Sequence, residues 1–125
     1  MIIDSSAWIE VFIGNDKGRD TMSFMEREEA FTSIVSLAEI AAWCVRNNIR
    51  DKIRGYIELV KKNSKIIQLD EAIATFAGIV NHERKKIVKN WGMMDSFILA
   101  TALAYSLKVL TKDSHFKDLN NAEIL

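Results

Sequence analysis

Short apolar segments alternate with longer, partly polar segments along the whole chain. Runs rich in β-branched and other apolar residues predict five strands, at residues 1–3, 30–34, 65–69, 109–111 and 122–125. Helical spacing and capping residues predict helices at residues 7–12, 19–27, 36–46, 49–62, 71–89 and 93–107, with one helical turn at residues 114–119. Strands and helices therefore follow one another almost regularly.

This alternation is typical of an α/β fold with a mainly parallel sheet. We expect a sheet of about five strands, flanked by helices on both faces, in one domain spanning residues 1–125. In open parallel sheets, functional sites lie beyond the carboxyl ends of the strands. Residues that directly follow the strands are therefore candidates for chemistry.

The predicted helix at residues 93–107 is apolar on nearly every side. No charged residue occurs between Asp95 and Lys108, so this helix is expected to be buried. An ionised carboxylate at the start of a buried helix is costly to desolvate unless a partner offsets its charge. The sequence therefore predicts that Asp95 has a partner from elsewhere in the chain or from solution.

Four acidic residues fall at the same predicted edge of the sheet. Asp4 and Asp113 come just after short strands, whereas Glu39 and Asp95 lie in the first turns of predicted helices. Each also has a local explanation, since Asp4 and Asp113 suit caps or turns and Asp95 suits the positive end of a helix. Glu39 would complete a capping box with Ser36. Local sequence leaves both interpretations open.

Taken together, four converging carboxylates would repel one another strongly at low dielectric. No lysine or arginine adjoins Asp4, Glu39 or Asp95, and only Lys112 adjoins Asp113. A hard divalent cation such as Mg²⁺, which prefers oxygen ligands, would neutralise the group. The sequence therefore predicts an acidic metal site at this edge.

Composition limits the partners and the compartment. Seventeen basic residues balance seventeen acidic ones, so nucleic acid binding would need a local patch. Cys44 is the single cysteine, and the sequence shows neither an amino-terminal targeting pattern nor a membrane-spanning run. These features predict a cytoplasmic protein with no membrane association. No histidine–cysteine cluster suggests zinc, because His82 lies in a basic stretch and His115 stands alone.

One local basic patch is predicted near the end of the fifth helix. Its members, which would contact nucleic acid phosphates, are Arg84, Lys85, Lys86 and Lys89. More often, a run of this kind is simply a solvated helix face, and that interpretation is slightly favoured here.

Four short motifs stand out by their order and spacing. They occupy residues 1–9 (MIIDSSAWI), 36–40 (SLAEI), 95–102 (DSFILATA) and 110–116 (LTKDSHF). In a chain of this length they resemble the PIN domain family, and in particular the VapC-type toxins of prokaryotic toxin–antitoxin pairs. The resemblance covers essentially the whole chain.

The resemblance implies a metal-dependent endoribonuclease with Mg²⁺ or Mn²⁺ as cofactor, a homodimer, and inhibition by a cognate antitoxin. It implies that the family's acidic quartet is formed here by Asp4, Glu39, Asp95 and Asp113. Ser6 and Thr111 fall on positions that are commonly polar in the family. Many members carry a further acid where this chain has His115.

The predicted function is hydrolysis of RNA phosphodiester bonds, as the toxin of a toxin–antitoxin pair. Asp4, Asp95 and Asp113 would ligate the metal, and Glu39 would ligate it or act through water. A housekeeping PIN nuclease and a PIN-fold binding module without activity are the alternatives. A receiver domain or an Asp-x-Asp phosphatase fits less well, because Ser5 and Ser6 stand where such proteins need a second acid.

Overall fold

The computed structural model describes residues 1–125 and contains one five-stranded sheet. Its strands are β1 (Ile2–Ile3), β2 (Phe31–Ser33), β3 (Lys65–Ile67), β4 (Val109–Thr111) and β5 (Ala122–Ile124). All neighbouring strands pair in parallel, in the order β3-β2-β1-β4-β5. The predicted α/β fold with a parallel sheet is therefore confirmed.

Six helices connect the strands. They are α1 (Ser5–Ile13), α2 (Asp16–Arg27), α3 (Ile34–Arg46), α4 (Ile53–Asn63), α5 (Glu71–Lys85) and α6 (Met93–Ala104). Short 3-10 turns occupy Arg50–Lys52 and Ser114–Phe116. None of the helices combines the length and the apolar character needed to span a bilayer.

Several predicted boundaries are wrong by a few residues. α1 begins at Ser5 because Asp4 occupies the N-cap position. α2 begins at Asp16, since the Asn15 side chain caps it by accepting a hydrogen bond from the Gly18 N–H. α5 ends at Lys85 instead of residue 89, and α6 ends before Ser106, whose positive φ of 54° stops the helix.

Two hydrophobic cores lie on opposite faces of the sheet. Successive residues of a strand point to opposite faces, so Ile2 joins the core built from α5 and α6, and Ile3 joins the core built from α1, α3 and α4. The helices therefore flank both faces, as predicted. α6 is mostly buried, but Met93 and Leu103 at its ends are about half exposed, so the expectation of complete burial is wrong there.

The strand order creates a switch point between β1 and β4. The chain passes from β1 to β2 and β3 on one side, then continues with β4 and β5 on the other side of β1. Ligand sites in open parallel sheets lie in the crevice at such a point. Asp4 follows β1 there, and its N–H donates to the Leu110 carbonyl at 2.9 Å. The topology thus places Asp4 beside the end of β4.

The helices α1 and α2 pack closely at Gly18. A Cβ atom at this position would lie 2.7 Å from the Glu10 carbonyl carbon and 2.9 Å from the Val11 Cα atom. We expect Gly18→Ala to lower the free energy of unfolding by about 1–3 kcal/mol, because the two backbones must separate. The matched control Gly78→Ala, whose added Cβ meets nothing within 4 Å, should stabilise by about 0.4–1 kcal/mol. Equal effects of the two substitutions in chemical denaturation would contradict this packing.

Candidate active site

Asp4 is held by two hydroxyl groups at the switch point. Its Oδ2 atom accepts hydrogen bonds from Ser6 Oγ at 2.7 Å and from Thr111 Oγ1 at 2.8 Å. The two hydroxyl oxygens are themselves 3.1 Å apart. The carboxylate is buried, so its orientation is fixed by these contacts. Ser6 and Thr111 are therefore the two side chains that hold Asp4.

The same hydroxyl groups order the loop that follows β4. Ser6 Oγ accepts a hydrogen bond from the Lys112 N–H at 3.0 Å, and Thr111 Oγ1 accepts one from the Asp113 N–H at 2.9 Å. Because both hydroxyls also contact Asp4, the position of Asp113 is tied to that of Asp4. No local pattern in the sequence predicts this coupling between residues that are more than a hundred positions apart.

Glu39 does not form the capping box with Ser36 that the sequence suggested. α3 begins at Ile34 with Ser33 as its N-cap, whose Oγ accepts from the Val35 N–H, and the buried Ser36 hydroxyl has no hydrogen-bond partner. The capping-box interpretation is therefore wrong. Instead, Glu39 Oε1 accepts a hydrogen bond from Ser5 Oγ at 3.0 Å, which turns this carboxylate towards the end of β1.

Asp95 lies in the first turn of α6 and is anchored by backbone. Its Oδ2 atom accepts a hydrogen bond from the Gly92 N–H at 3.1 Å. The next residue, Ser96, is buried; its Oγ accepts from Trp91 Nε1 at 2.7 Å and from Asn81 Nδ2 at 3.1 Å. This network fixes the start of α6, and hence the carboxylate of Asp95, against α5.

His115 faces two of the acids, contrary to the expectation that it stands alone. Its Nδ1 atom lies 3.5 Å from Asp95 Oδ2 and 3.4 Å from Asp113 Oδ1. One ligand atom from each of these three residues lies within 4.8 Å of the other two, a spacing that suits a metal ion. The histidine could have been suspected from its position two residues after Asp113, but only the turn at Ser114–Phe116 brings its ring back to the site.

Burial and mutual repulsion raise the pKa values of three carboxyl groups. Burial is the main cause for Asp4 and Asp95; the Asp95 charge adds to the rise at Asp4, and the Asp113 charge adds to the rise at Asp95. The hydroxyl hydrogen bonds to Asp4 oppose its shift. Burial, followed by the charge of Asp4, raises the pKa of Glu39 to about 7. The acids therefore form one electrostatically coupled group.

Protein cations do little to neutralise this group. Lys112, the neighbour of Asp113, instead donates from Nζ to Glu10 Oε1 at 2.7 Å, and this bond lowers the pKa of the buried Glu10. The only ion-pair contacts of the four acids are those to His115. A divalent cation fits the donor set of Asp95, Asp113 and His115, because one ligand atom from each lies within 4.8 Å of the other two and His115 Nδ1 has no hydrogen-bond partner.

Arg84 has a structural role and is not exposed for the predicted contact with nucleic acid phosphates. Its guanidinium donates to both carboxylate oxygens of Asp118 at 2.8 Å and to the His115 carbonyl at 2.9 Å, and it stacks over the Trp91 ring. Its side chain is only 8% exposed. The other members of the predicted basic patch, Lys85, Lys86 and Lys89, are exposed.

The raised pKa of Glu39 predicts a pH-dependent stability of the metal-free protein. Between the ordinary value of 4.5 and about 7, the folded state keeps a proton at Glu39 that the unfolded state releases. The contribution of Glu39 to stability is therefore fully present below this window and is lost as the pH rises through it. Glu39→Gln should flatten the profile of melting temperature against pH in EDTA, whereas the exposed Glu26→Gln control should not. An unchanged profile in Glu39→Gln would contradict the assignment.

Comparisons with known proteins agree with the fold and the motifs. The model of the PIN domain family matches residues 1–122. Similar solved structures include VapBC2 from Rickettsia felis bound to a DNA fragment from its promoter, with a TM-score of 0.77 at 14% identity, covering 99% of this chain and 96% of that one.

Two further structures are similar. A toxin–antitoxin complex from Klebsiella pneumoniae gives a TM-score of 0.74 at 19% identity, covering 98% of this chain and 94% of that one. VapC20 from Mycobacterium tuberculosis, a sarcin-ricin loop cleaving toxin, gives a TM-score of 0.75 at 12% identity, covering 98% of this chain and 97% of that one. None of the curated proteins matches in sequence. Because the family model spans nearly the whole chain, this protein belongs to the PIN domain family.

Proposed function

We propose that this protein is a metal-dependent endoribonuclease that hydrolyses RNA phosphodiester bonds as the toxin of a toxin–antitoxin pair. The observation that carries the proposal is the coupled group of Asp4, Glu39, Asp95 and Asp113 at the switch point, in which burial raises three pKa values and no lysine or arginine compensates. Membership of the PIN family and the similar toxin structures support the nuclease class.

The cofactor of this proposal is Mg²⁺ or Mn²⁺, held by Asp4, Asp95 and Asp113. When bound, a divalent cation makes water a better nucleophile at neutral pH and offsets charge on the phosphoryl oxygens. Glu39 accepts the proton of the attacking water as a general base, and the hydrogen bond from Ser5 Oγ to Glu39 Oε1 holds the carboxylate for this role. No side-chain nucleophile is needed.

The supporting side chains keep the carboxylates in place before substrate arrives. Ser6 and Thr111 hold Asp4 Oδ2, Ser5 holds Glu39 Oε1, and the Gly92 N–H holds Asp95 Oδ2. Each bond uses only part of the acceptor capacity of its carboxylate, so acceptor sites are left for a cation or a water. Carboxylates fixed in this way need little rearrangement on binding, which favours catalysis.

The partners in this proposal are RNA, a cognate antitoxin and a second copy of the chain. The proposed contacts to RNA phosphates are the exposed Lys85, Lys86 and Lys89. Arg84 is left out of this set because it is buried. An antitoxin partner is supported by the similar structures, which include the toxin–antitoxin complex from Klebsiella pneumoniae and VapBC2 from Rickettsia felis. The free, buried Cys44 is consistent with a reducing compartment such as the cytoplasm.

The direct test is incubation of the purified protein with a panel of structured RNAs in Mg²⁺, in Mn²⁺ and in EDTA. We expect cleavage at defined sites with either metal, none in EDTA, and recovery when excess metal is restored. Equal cleavage in EDTA would contradict the metal-dependent chemistry. Failure of the folded, metal-loaded protein to cleave any RNA in the panel would favour a binding module.

A further inference from the structure

The candidate active site has two halves with different donor atoms. On one side, Asp4 and Glu39 present only carboxylate oxygens, which serine and threonine hydroxyls hold in place. On the other side, Asp95 and Asp113 share their space with the imidazole of His115. The second half therefore offers a nitrogen as well as oxygens.

The His115 Nδ1 atom is buried from solvent and has no hydrogen-bond partner. A buried polar nitrogen without a partner is rare and costly, and it requires an explanation. A charge-assisted hydrogen bond to Asp95 or Asp113 would bring the atoms to about 2.7–2.9 Å, whereas the observed distances are 3.5 and 3.4 Å. The Nδ1 atom of the ring thus lies near both acids, at distances longer than a charge-assisted hydrogen bond to either.

The observed spacing fits ligands that surround a common ion. Two atoms that each lie about 2.1 Å from one cation are roughly 3.0–3.4 Å apart, depending on the coordination geometry. The two distances from His115 Nδ1 to the carboxylate oxygens are close to this range, and one ligand atom from each of the three residues lies within 4.8 Å of the other two. Small side-chain movements would complete the arrangement.

The backbone holds the imidazole in this position. The His115 N–H donates to Asp113 Oδ1 at 2.9 Å, and the His115 carbonyl accepts from Arg84 Nη2, also at 2.9 Å. The following residue, Phe116, is fully buried and packs on Trp91 with ring centroids 5.0 Å apart. The turn is therefore fixed on both sides of His115, which pre-organises the ring towards the acids.

We propose that His115 Nδ1 is a metal ligand, together with Asp95 and Asp113, and that it makes this site prefer transition-series divalent cations such as Mn²⁺, Co²⁺ or Zn²⁺ over Mg²⁺. Mg²⁺ is held through oxygen and water, whereas imidazole nitrogen favours transition metals. A neutral imidazole coordinates through Nδ1 and keeps its proton on Nε2. This inference rests on the proposed function, because it concerns the same metal site.

The test compares metal binding by the metal-free protein and its variants. For the wild type, calorimetric titration should show tighter binding of Co²⁺ than of Mg²⁺. His115→Ala should weaken Co²⁺ binding by about tenfold or more while Mg²⁺ binding changes less. His115→Asp, which makes the site all-oxygen, should shift the preference back towards Mg²⁺. His82→Ala, the exposed second histidine, is the matched control and should bind both ions like the wild type.

A spectroscopic readout identifies the ligand itself. Electron paramagnetic resonance of the Mn²⁺-loaded protein should show coupling to a ¹⁴N nucleus that His115→Ala and His115→Asn both lose, while circular dichroism shows that each is folded. Tight Mn²⁺ binding without nitrogen coupling, or an unchanged Co²⁺ to Mg²⁺ preference in both variants, would overturn the role of His115 and leave the proposed function standing. Absence of any divalent ion binding by the folded wild type would overturn both.

Discussion

Replacing Asp95 by asparagine is expected to lower the rate of RNA cleavage by more than about 100-fold, because even residues that only orient a metal ligand contribute about 10- to 100-fold. The substitution keeps the size of the side chain and its contact with the Gly92 N–H. It also removes one of the charges that raise the pKa of Asp4 and Glu39. The metal-free variant should therefore be at least as stable as the wild type.

The measurement is a cleavage time course at saturating Mn²⁺, beside thermal melts in EDTA. Asp20→Asn is the matched control, because it makes the same chemical change at an exposed position on α2 and should cleave like the wild type. A folded Asp95→Asn protein that retains the wild-type rate would remove Asp95 from the proposed metal site.

Replacing Arg84 by alanine is expected to lower the free energy of unfolding by about 3 kcal/mol, the low end of the cost of breaking a buried ion pair. The low end applies because Asp118 is 44% exposed and can be rehydrated after its partner is lost. The substitution also removes the stacking over Trp91 and the hydrogen bond to the His115 carbonyl. The turn that carries His115 should become less ordered as a result.

Urea denaturation measures this change, and Lys85→Ala is the matched control on the next residue. Lys85 is exposed, so its loss should alter stability by less than about 0.5 kcal/mol. If Arg84→Ala were as stable as Lys85→Ala, the structural role assigned to Arg84 would be wrong, and a role in RNA contact would again be open.

The parallel sheet could be predicted from the sequence because the evidence for it is local. The runs at β1 and β4 are short, but Asp4 directly follows β1, and Asp113 follows β4 after Lys112. Since parallel strands share the edge where they end, the approach of Asp4 and Asp113 follows from their order along the chain. The structure brings the two loops together through Ser6 and Thr111.

The errors arise where long-range contacts override local patterns. Ser33 and Ser36 are both plausible helix caps in one short segment, and Ser33 takes the role because β2 ends there while Glu39 turns to Ser5. Arg84 looks like part of a solvated basic run, because its partner Asp118 is distant in sequence. The ring of His115 approaches Asp95 only after the turn beyond β4 has formed. Each case depends on tertiary structure that spacing alone does not encode.

The central claim is that the coupled acids bind a divalent cation, and calorimetric titration of the metal-free protein with Mn²⁺ tests it most directly. The wild type should bind with a saturable isotherm, and Asp95→Asn should bind at least about tenfold more weakly, because a ligand is lost. The melting temperature of the wild type should rise with added Mn²⁺, since the ion binds only the folded state. No saturable binding by the folded wild type, or equal affinity in Asp95→Asn, would contradict the claim.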